Sequence, residues 1–448
     1  MSSSARPAAR WGVRRGQPLA GAFAPPGDKS ITHRAVLFGL LADGVTRVRG
    51  ANPGEDCASS ATAAAALGAT VTPCDGGWDV RGTAGHLRAP QHDIDAGNSG
   101  TTLRLLAGIV APQPFVTRFV GDASLSRRPM RRIAEPLGRM GARLEGQGES
   151  LTPPLTVHGG PLTGIDYEVP MASAQVATCT LLAGLAASGR TRVTLPGPAR
   201  DHTERMLPAF GVALERHELS HGGRRVIVQG GARLVATDVD VPGDFSSAAF
   251  FLAAAAMTPG AEVTARGVNL NPTRTGLLDV LAAMGAHVSI ANERDAAGEP
   301  AGDVTVRGPE RLAPFTVPAE WLPRMVDEAP AWVLLASAAE GTSQLTGAGE
   351  LRVKESDRIA SLAAGLRAVG IEAHESPDGL AVTGGTPRGG ARIVTHHDHR
   401  IAMAFAVLGT RCSEPVWFDD LASVPTSYPA FFETLAELGG ALVPEDAA

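Results

Sequence analysis

The chain has 448 residues, enough for two or more ordinary domains, and its 44% hydrophobic and 19% charged content is that of a folded globular protein. A net charge of −6 excludes a general nucleic-acid binder, and 4% aromatics leaves little for stacking on bases, so any anion site must be local. The four cysteines, Cys57, Cys74, Cys179 and Cys412, form no C-x-x-C pair, and no apolar run reaches the ~20 residues of a membrane-spanning helix; a reduced, cytoplasmic setting is expected.

Residues 1–16 carry Arg6, Arg10, Arg14 and Arg15 with Ser2, Ser3 and Ser4 and no acid, and read as an N-terminal extension. A repeat begins after them. A small-residue, strongly apolar helix leading through a turn into a strand recurs at 35–48, 102–120, 175–193, 246–263, 329–345 and 400–418. Apolar character nearly all the way round predicts that these helices are buried. A second, amphipathic helix follows each and ends at Gly68, Gly141, Gly211, Gly285, Gly370 or Gly439. Glycine after the last apolar position is a helix C-cap signal, and alternating residues beyond it predict a strand. The spacing of roughly 70–85 residues is too long for a solenoid. Six such units predict two pseudo-symmetric α/β domains of three units each.

Polar clusters stand at the start of the buried helices: Gly27-Asp-Lys-Ser-Ile-Thr-His-Arg34, Gly97-Asn-Ser-Gly-Thr-Thr-Leu-Arg104, Met171-Ala-Ser-Ala-Gln175, Pro242-Gly-Asp-Phe-Ser-Ser247, Met325-Val-Asp-Glu328 and His396-His-Asp-His-Arg400. A helix start offers free N–H groups and a partial positive charge, so each is a candidate anion site. Taken singly, each is equally an ordinary capped helix. Asp28 separates Gly27 from Lys29, which breaks the nucleotide P-loop pattern. Ser30 and Arg34 are four apart on one helix face. The stretch from Gly121 to Arg132 holds four arginines, of which Arg131 and Arg132 read as a solvated helix start. In Leu351-Arg-Val-Lys-Glu-Ser-Asp-Arg358, Lys354 and Arg358 are expected on one face with Glu355 beside them, equally a structural ion-pair network. His396, His397 and His399 do not converge easily on one ion, so no metal is expected. There is no G-x-S-x-G elbow and no G-x-G-x-x-G after a strand.

Together the strings Asp28-Lys-Ser-Ile-Thr-His-Arg34, Gly97-Asn-x-Gly-Thr101, Arg128-Pro129, Ser173-x-Gln175, Arg200-Asp-His-Thr-Glu204, Asn271-Pro-Thr-Arg-Thr275, Arg352-Val-Lys-Glu-Ser-Asp-Arg358 and Asp398-His-Arg400 resemble the 5-enolpyruvylshikimate-3-phosphate synthase family, the target of glyphosate. They run in family order along nearly the whole chain, closest to the bacterial branch that includes glyphosate-tolerant enzymes. The resemblance implies an α/β fold of two pseudo-threefold domains, each of three βαβαββ units (an inside-out α/β barrel). It implies domains of residues 1–27 plus 243–448 and of 28–242, with the active site in the cleft between them. It implies transfer of the carboxyvinyl group of phosphoenolpyruvate to the 5-hydroxyl of shikimate 3-phosphate by a monomer with no cofactor.

By the same resemblance, Lys29, Gly100, Arg128, Gln175, Arg358 and Arg400 hold phosphoenolpyruvate. Ser30, Arg34, Ser173, Gln175, Arg200, Asp327 and Lys354 hold shikimate 3-phosphate, with Ala174 contributing through its backbone. Asp327 is the candidate base, and Glu355 or Lys29 the proton donor. Two departures stand out. Near Thr426-Ser-Tyr-Pro429 there is no lysine where many members carry one, and Gly100 stands where the tolerant enzymes carry alanine, so a glyphosate-sensitive enzyme is expected. The sister transferase acting on UDP-N-acetylglucosamine has Lys-Asn at the position of Lys29-Ser30 and a cysteine in the loop corresponding to Gly121–Arg132, which has none here. A non-catalytic anion-binding protein on the same scaffold is the rival of another class.

Overall fold

The structure, a computed structural model, describes residues 11–444. The expected N-terminal extension lies outside the described residues as far as residue 10. From there on the expectation is corrected: Trp11–Arg14 is a strand, paired antiparallel with Ala441–Pro444, and Val13 is fully buried. A four-residue strand whose partner lies at the far end of the chain leaves no periodic trace in a basic segment.

Twelve α-helices are described: α1 (Lys29–Leu41), α2 (Glu55–Ala66), α3 (Gly100–Val110), α4 (Arg131–Met140), α5 (Ala174–Ala186), α6 (His202–Met206), α7 (Phe245–Ala256), α8 (Gly276–Ala283), α9 (Ala329–Ala338), α10 (Arg358–Ala368), α11 (His399–Gly409) and α12 (Phe431–Glu437). The odd-numbered helices are the expected apolar ones. Every residue of α7 is buried, and so are ten of the thirteen in α1. The even-numbered helices are amphipathic or short; α4 buries Ile133, Pro136, Leu137 and Met140 and exposes its arginines. Each fully buried Val, Leu or Phe side chain contributes about 1.5–3 kcal/mol, and the odd-numbered helices share the core with the strands and the amphipathic helices packed on them.

Among the described residues, five sheets of four strands share one topology. In one, the chain runs Ile94–Asp95, α3, Val116–Val120, α4, Arg143–Gln147 and Thr152–His158; the first two strands pair in parallel and the remaining pairings are antiparallel. The sixth repeat reproduces that order from two strand pairs joined by the antiparallel bridge between Val13 and Val416. In three repeats the first or last strand comes from elsewhere in the chain. Val239–Asp240 completes the sheet of Val45–Arg49, Ala20–Phe23 that of Glu262–Asn269, and Trp11–Arg14 that of Ala441–Pro444.

The chain forms two compact units with separate hydrophobic cores. The central unit is Pro26–Pro242 together with Asp295–Pro300; the terminal unit is the remainder. Each holds three odd-numbered helices. In the central unit α3 and α5 touch backbone to backbone: a Cβ on Gly108 would lie 2.2 Å from the Cys179 carbonyl oxygen. The six glycines that marked the repeat all have positive φ, from 80° at Gly211 to 118° at Gly141. Each therefore occupies the left-handed position that ends a helix and that other residues adopt at a cost.

His33 on α1 is fully buried with Nδ1 2.8 Å from Ser60 Oγ. Burial, opposed by the Asp56 charge and helped by the weaker effects of Lys29 and Arg34, pushes its pKa down from 6.5 to about 3. Above pH 6.5 the imidazole is neutral in both folded and unfolded chains. Below it, the unfolded chain takes up a proton that the fold excludes, so stability falls with falling pH by up to ~1.4 kcal/mol per unit until about pH 3. Urea unfolding between pH 7 and 4.5 should show a shallower loss for His33→Gln than for the unmodified chain; parallel curves would reject this role.

Candidate active site

The two units carry different chemistry at their helix heads. In the central unit the caps of α1, α3 and α5 are Asp28, Ser99 and Ser173, whose side chains accept from the Ile31, Thr102 and Val176 amides. The first turns behind those caps carry the expected residues. Lys29 Nζ lies 3.1 Å from Asp56 Oδ2, an acid at the start of α2. Gln175 links two helices: Oε1 accepts from Arg104 Nη1 at 2.8 Å, and Nε2 donates to Thr101 Oγ1 at 3.1 Å. Arg128 donates to Asn98 Oδ1 at 2.8 Å and Ser124 Oγ at 3.2 Å, which fixes its guanidinium beside the α3 head. A Cβ built on Gly100 would stand 2.9 Å from Arg104 Nη1 and 3.4 Å from Arg128 Nη1. The bare Gly100 backbone thus faces two guanidinium groups.

Ser30 is half-buried at the start of α1, and Ala174 opens α5 directly after the Ser173 cap. Arg34 lies deeper, at 3% exposure, and braces three helices. Its Nε donates to Thr203 Oγ1 at 2.8 Å, Nη2 to Thr178 Oγ1 at 3.1 Å and Nη1 to the Ser30 carbonyl at 2.9 Å. Burial pulls its pKa down to about 10, against the neighbouring Glu204, Glu299 and Asp28, so it stays charged at neutral pH. Arg200 is half-buried in the loop before α6. Arg131 and Arg132 are exposed at the start of α4.

In the terminal unit the carboxylate of Asp327, in a 3-10 turn ahead of α9, is ringed by cations: Arg358 Nη1 at 3.6 Å, Arg400 Nη2 at 3.8 Å and Lys354 Nζ at 3.9 Å. Arg400 Nη1 also donates to the Asp327 carbonyl. Lys354 reaches Glu350 at 2.6 Å. Arg358 is 1% exposed and donates through Nε and Nη2 to Asp398 at 2.8 and 3.2 Å, and through Nη2 to Glu355 at 2.7 Å. Burial works against its charge, yet the Asp398 and Glu355 carboxylates raise its pKa above the ordinary arginine value. Burial likewise opposes ionisation of Asp398, and Arg358 overcomes it, holding that carboxyl below its usual range.

The expected shared helix face of Lys354 and Arg358 needs correction. Lys354 ends a 3-10 turn (Gly349–Val353), Asp357 caps α10 by accepting from the Ala360 amide, and Arg358 is the first residue of that helix. The two cations meet through Asp327 rather than along a helix surface. Among the described residues no cluster of histidine, cysteine or acid has the arrangement of a metal site, and no helix is long and apolar enough to cross a membrane. Burial pushes the Cys179 and Cys412 thiols up to about 12, which removes both as nucleophiles at neutral pH.

The sequence profile for EPSP synthase (3-phosphoshikimate 1-carboxyvinyltransferase) matches residues 13–435. The chain belongs to the EPSP synthase family. The 3-phosphoshikimate 1-carboxyvinyltransferase of Alkalilimnicola ehrlichii is 49% identical over 438 residues, 97% of each chain. That of Xanthomonas euvesicatoria pv. vesicatoria is 51% identical over 444 residues, 98% of each. A solved EPSP synthase from Acinetobacter baumannii superposes with a TM-score of 0.87 at 43% identity, over 97% of this chain and all of that one. The enolpyruvyl transferase NikO from Streptomyces tendae shares the fold, with a TM-score of 0.79 at 20% identity over 98% of this chain and 99% of that one. The enolpyruvyl transferase fold expected from the sequence is therefore the fold of this chain.

Sequence reasoning missed several residues that shape these clusters. Arg104 stood in the quoted string and lies one helical turn beyond Gly100, a spacing that puts both on one face. Asp56 carries no such signal, because its contact with Lys29 spans 27 residues. Asp398 was quoted without a role, yet it accepts from Arg358, from Ser356 Oγ at 3.0 Å and from the Arg400 amide at 3.0 Å. Asp398→Asn removes the main partner of a buried cation, and the expected loss is about 3 kcal/mol of unfolding free energy in denaturant. A loss below about 1 kcal/mol would show that Glu355 suffices alone.

Proposed function

We propose that this chain transfers the carboxyvinyl group of phosphoenolpyruvate to the 5-hydroxyl of shikimate 3-phosphate with release of phosphate, on the route to chorismate and the aromatic amino acids. The observation that carries the reading is family membership along residues 13–435, with half-identical relatives over nearly the full chain. We take the enzyme to be a cytoplasmic monomer.

The charge pattern supports an assignment of roles. Two substrates carrying several negative charges repel one another, and cations at fixed positions offset that repulsion without reorganising during the reaction. Phosphoenolpyruvate is assigned to Lys29, the Gly100 backbone, Arg128, Gln175, Arg358 and Arg400. Shikimate 3-phosphate is assigned to Ser30, Arg34, Ser173, the Ala174 backbone, Gln175, Arg200, Asp327 and Lys354. Arg34 is already engaged at three nitrogens, which leaves it two N–H bonds to offer. Its part is to direct those two toward substrate while holding α1 in place.

Asp327 is assigned as the base. It accepts the proton of the 5-hydroxyl while a proton from Glu355 or Lys29 reaches the methylene carbon of phosphoenolpyruvate, making its C2 oxocarbenium-like. The 5-oxygen bonds to C2 and gives a tetrahedral intermediate. Breakage of the C2–O bond to phosphate, with loss of a methyl proton, restores the double bond, and Asp327 or Lys29 assists that step. Lys354, Arg358 and Arg400 stand within 4 Å of the Asp327 carboxylate, where they also attract the negative charge of a substrate. The loop Gly121–Arg132 contains no cysteine, which argues against the sister reaction on UDP-N-acetylglucosamine.

Phosphate release from phosphoenolpyruvate should depend on shikimate 3-phosphate; release indifferent to it would overturn the reading. Asp327→Ala should lower kcat at least 1000-fold, on the order expected for a catalytic base, with phosphoenolpyruvate binding still measurable by calorimetry. Near-normal turnover would remove Asp327 from that role.

Glyphosate is assigned to the phosphoenolpyruvate site, and Gly100 makes this member of the branch sensitive. A methyl group there would enter the space beside Arg104 and Arg128 where the longer inhibitor needs room. Glyphosate titration should inhibit well below millimolar concentration, and Gly100→Ala should raise the inhibitory concentration by more than tenfold. Millimolar tolerance of the unmodified enzyme would reject the assignment.

A further inference from the structure

The segment Arg200-Asp-His-Thr-Glu-Arg205 sends successive side chains to different partners within the central unit. Asp201, fully buried, accepts from Arg205 Nε at 2.9 Å and Arg216 Nη1 at 2.7 Å. His202 Nδ1 lies 2.7 Å from Glu299 Oε1, both fully buried. Thr203 receives Arg34, and Glu204 receives Arg224. Arg200 and Arg205, at the two ends of the segment, are half-exposed at the edge of this hub.

Arg224 opens the strand Arg224–Gln229, opposite Leu195 in the neighbouring strand, and is 2% exposed. Its Nη1 donates to the Ala199 carbonyl at 2.8 Å and its Nη2 to the Arg200 carbonyl at 2.8 Å. Nε donates to Glu204 Oε1 at 2.9 Å, and Nη2 lies at the same distance from that oxygen. Those two carbonyls belong to the peptide groups before and after the Arg200 Cα. One rigid, planar guanidinium therefore pins both peptide planes flanking Arg200, and so both backbone torsions that decide where its side chain emerges. Glu204 neutralises the charge of the clamp, which keeps Arg224 inside the fold rather than at the substrate.

We propose that Arg224 is a positioning residue for the phosphate of shikimate 3-phosphate, acting through the backbone of Arg200. This rests on the assignment of Arg200 to that substrate. A lysine keeps the ion pair with Glu204 but has a single nitrogen, which does not span the two carbonyls in the fork geometry.

The test is a double-mutant cycle on the full-length enzyme, reading the dissociation constant for shikimate 3-phosphate by calorimetry and the unfolding midpoint alongside. Arg200→Ala is expected to weaken binding by about tenfold or more, the loss typical of a charge-assisted phosphate contact. Arg224→Lys is expected to weaken it by a similar factor, and adding Arg224→Lys to Arg200→Ala should change it by less than about twofold, because the clamp then has nothing to aim. Multiplying losses would overturn the proposal, since a purely structural role is blind to the side chain at position 200. Unchanged binding in Arg224→Lys with weakened binding in Arg200→Ala would overturn it too. Unchanged binding in Arg200→Ala would instead remove Arg200 from the substrate, and the inference with it. Should Arg224→Lys fail to fold, Arg224→Met with Glu204→Leu replaces the whole buried pair with apolar side chains and enters the same cycle with the same expected outcomes.

Discussion

A helix buried on every side has only its two ends left for polar chemistry, and that constraint organises this protein. The odd-numbered helices cannot place a charged group along their length without burying it. Their tails are occupied by turns into the next strand. The heads carry N–H groups with no partner inside the helix and a positive dipole end. Polar groups have nowhere else to go, so in each repeat they gather at the cap and first turn of the buried helix. Gly108 shows how tight the constraint is: at the α3–α5 contact there is no room even for a methyl group.

The two units answer the constraint differently. In the central unit two of the three caps are neutral serines, and the partners of the cations beside them include Asp56, Asn98 and Gln175. In the terminal unit the residues at the cap positions are Asp244, Glu328 and Asp398, and fully buried arginines answer two of them. Buried pairs of this kind add little net stability but hold their members in one geometry, because separating them leaves an uncompensated charge in the interior. That is how a chain of net charge −6 gathers cations at its helix heads: acids such as Asp244 and Asp398 are spent inside as anchors of buried guanidinium groups.

What the sequence made legible follows from how local each signal is. The six glycines and six helix heads are set by contacts within a few residues, and both patterns appear in the structure where they were expected. Features set by distant partners were not readable. Arg34 owes its burial to Thr178 and Thr203, 144 and 169 residues away. Trp11–Arg14 becomes a strand only because Ala441–Pro444 lies beside it. The stretch Leu351 to Arg358 looked continuous because its charges had helical spacing, but Asp357 competes for the backbone as a cap and starts a new helix there. Arg224 belongs to no quoted string; its importance lies in gripping two carbonyls, and main-chain contacts leave no mark on side-chain pattern.

Repetition also explains why so few of the heads need to be chemically specialised. Arg274 and Arg358 stand at the heads of α8 and α10, and both are 1% exposed. Arg274 donates to Ser246 Oγ at 2.7 Å and lies 3.5 Å from Asp244, the α7 cap. Arg358 keeps the same kind of anchor in Asp398, but its Nη1 lies 3.6 Å from Asp327, beside Arg400 and Lys354. The difference is one of orientation within a shared framework. The buried Asp398 carboxylate that anchors Arg358 in the fold also fixes the register in which its Nη1 meets Asp327.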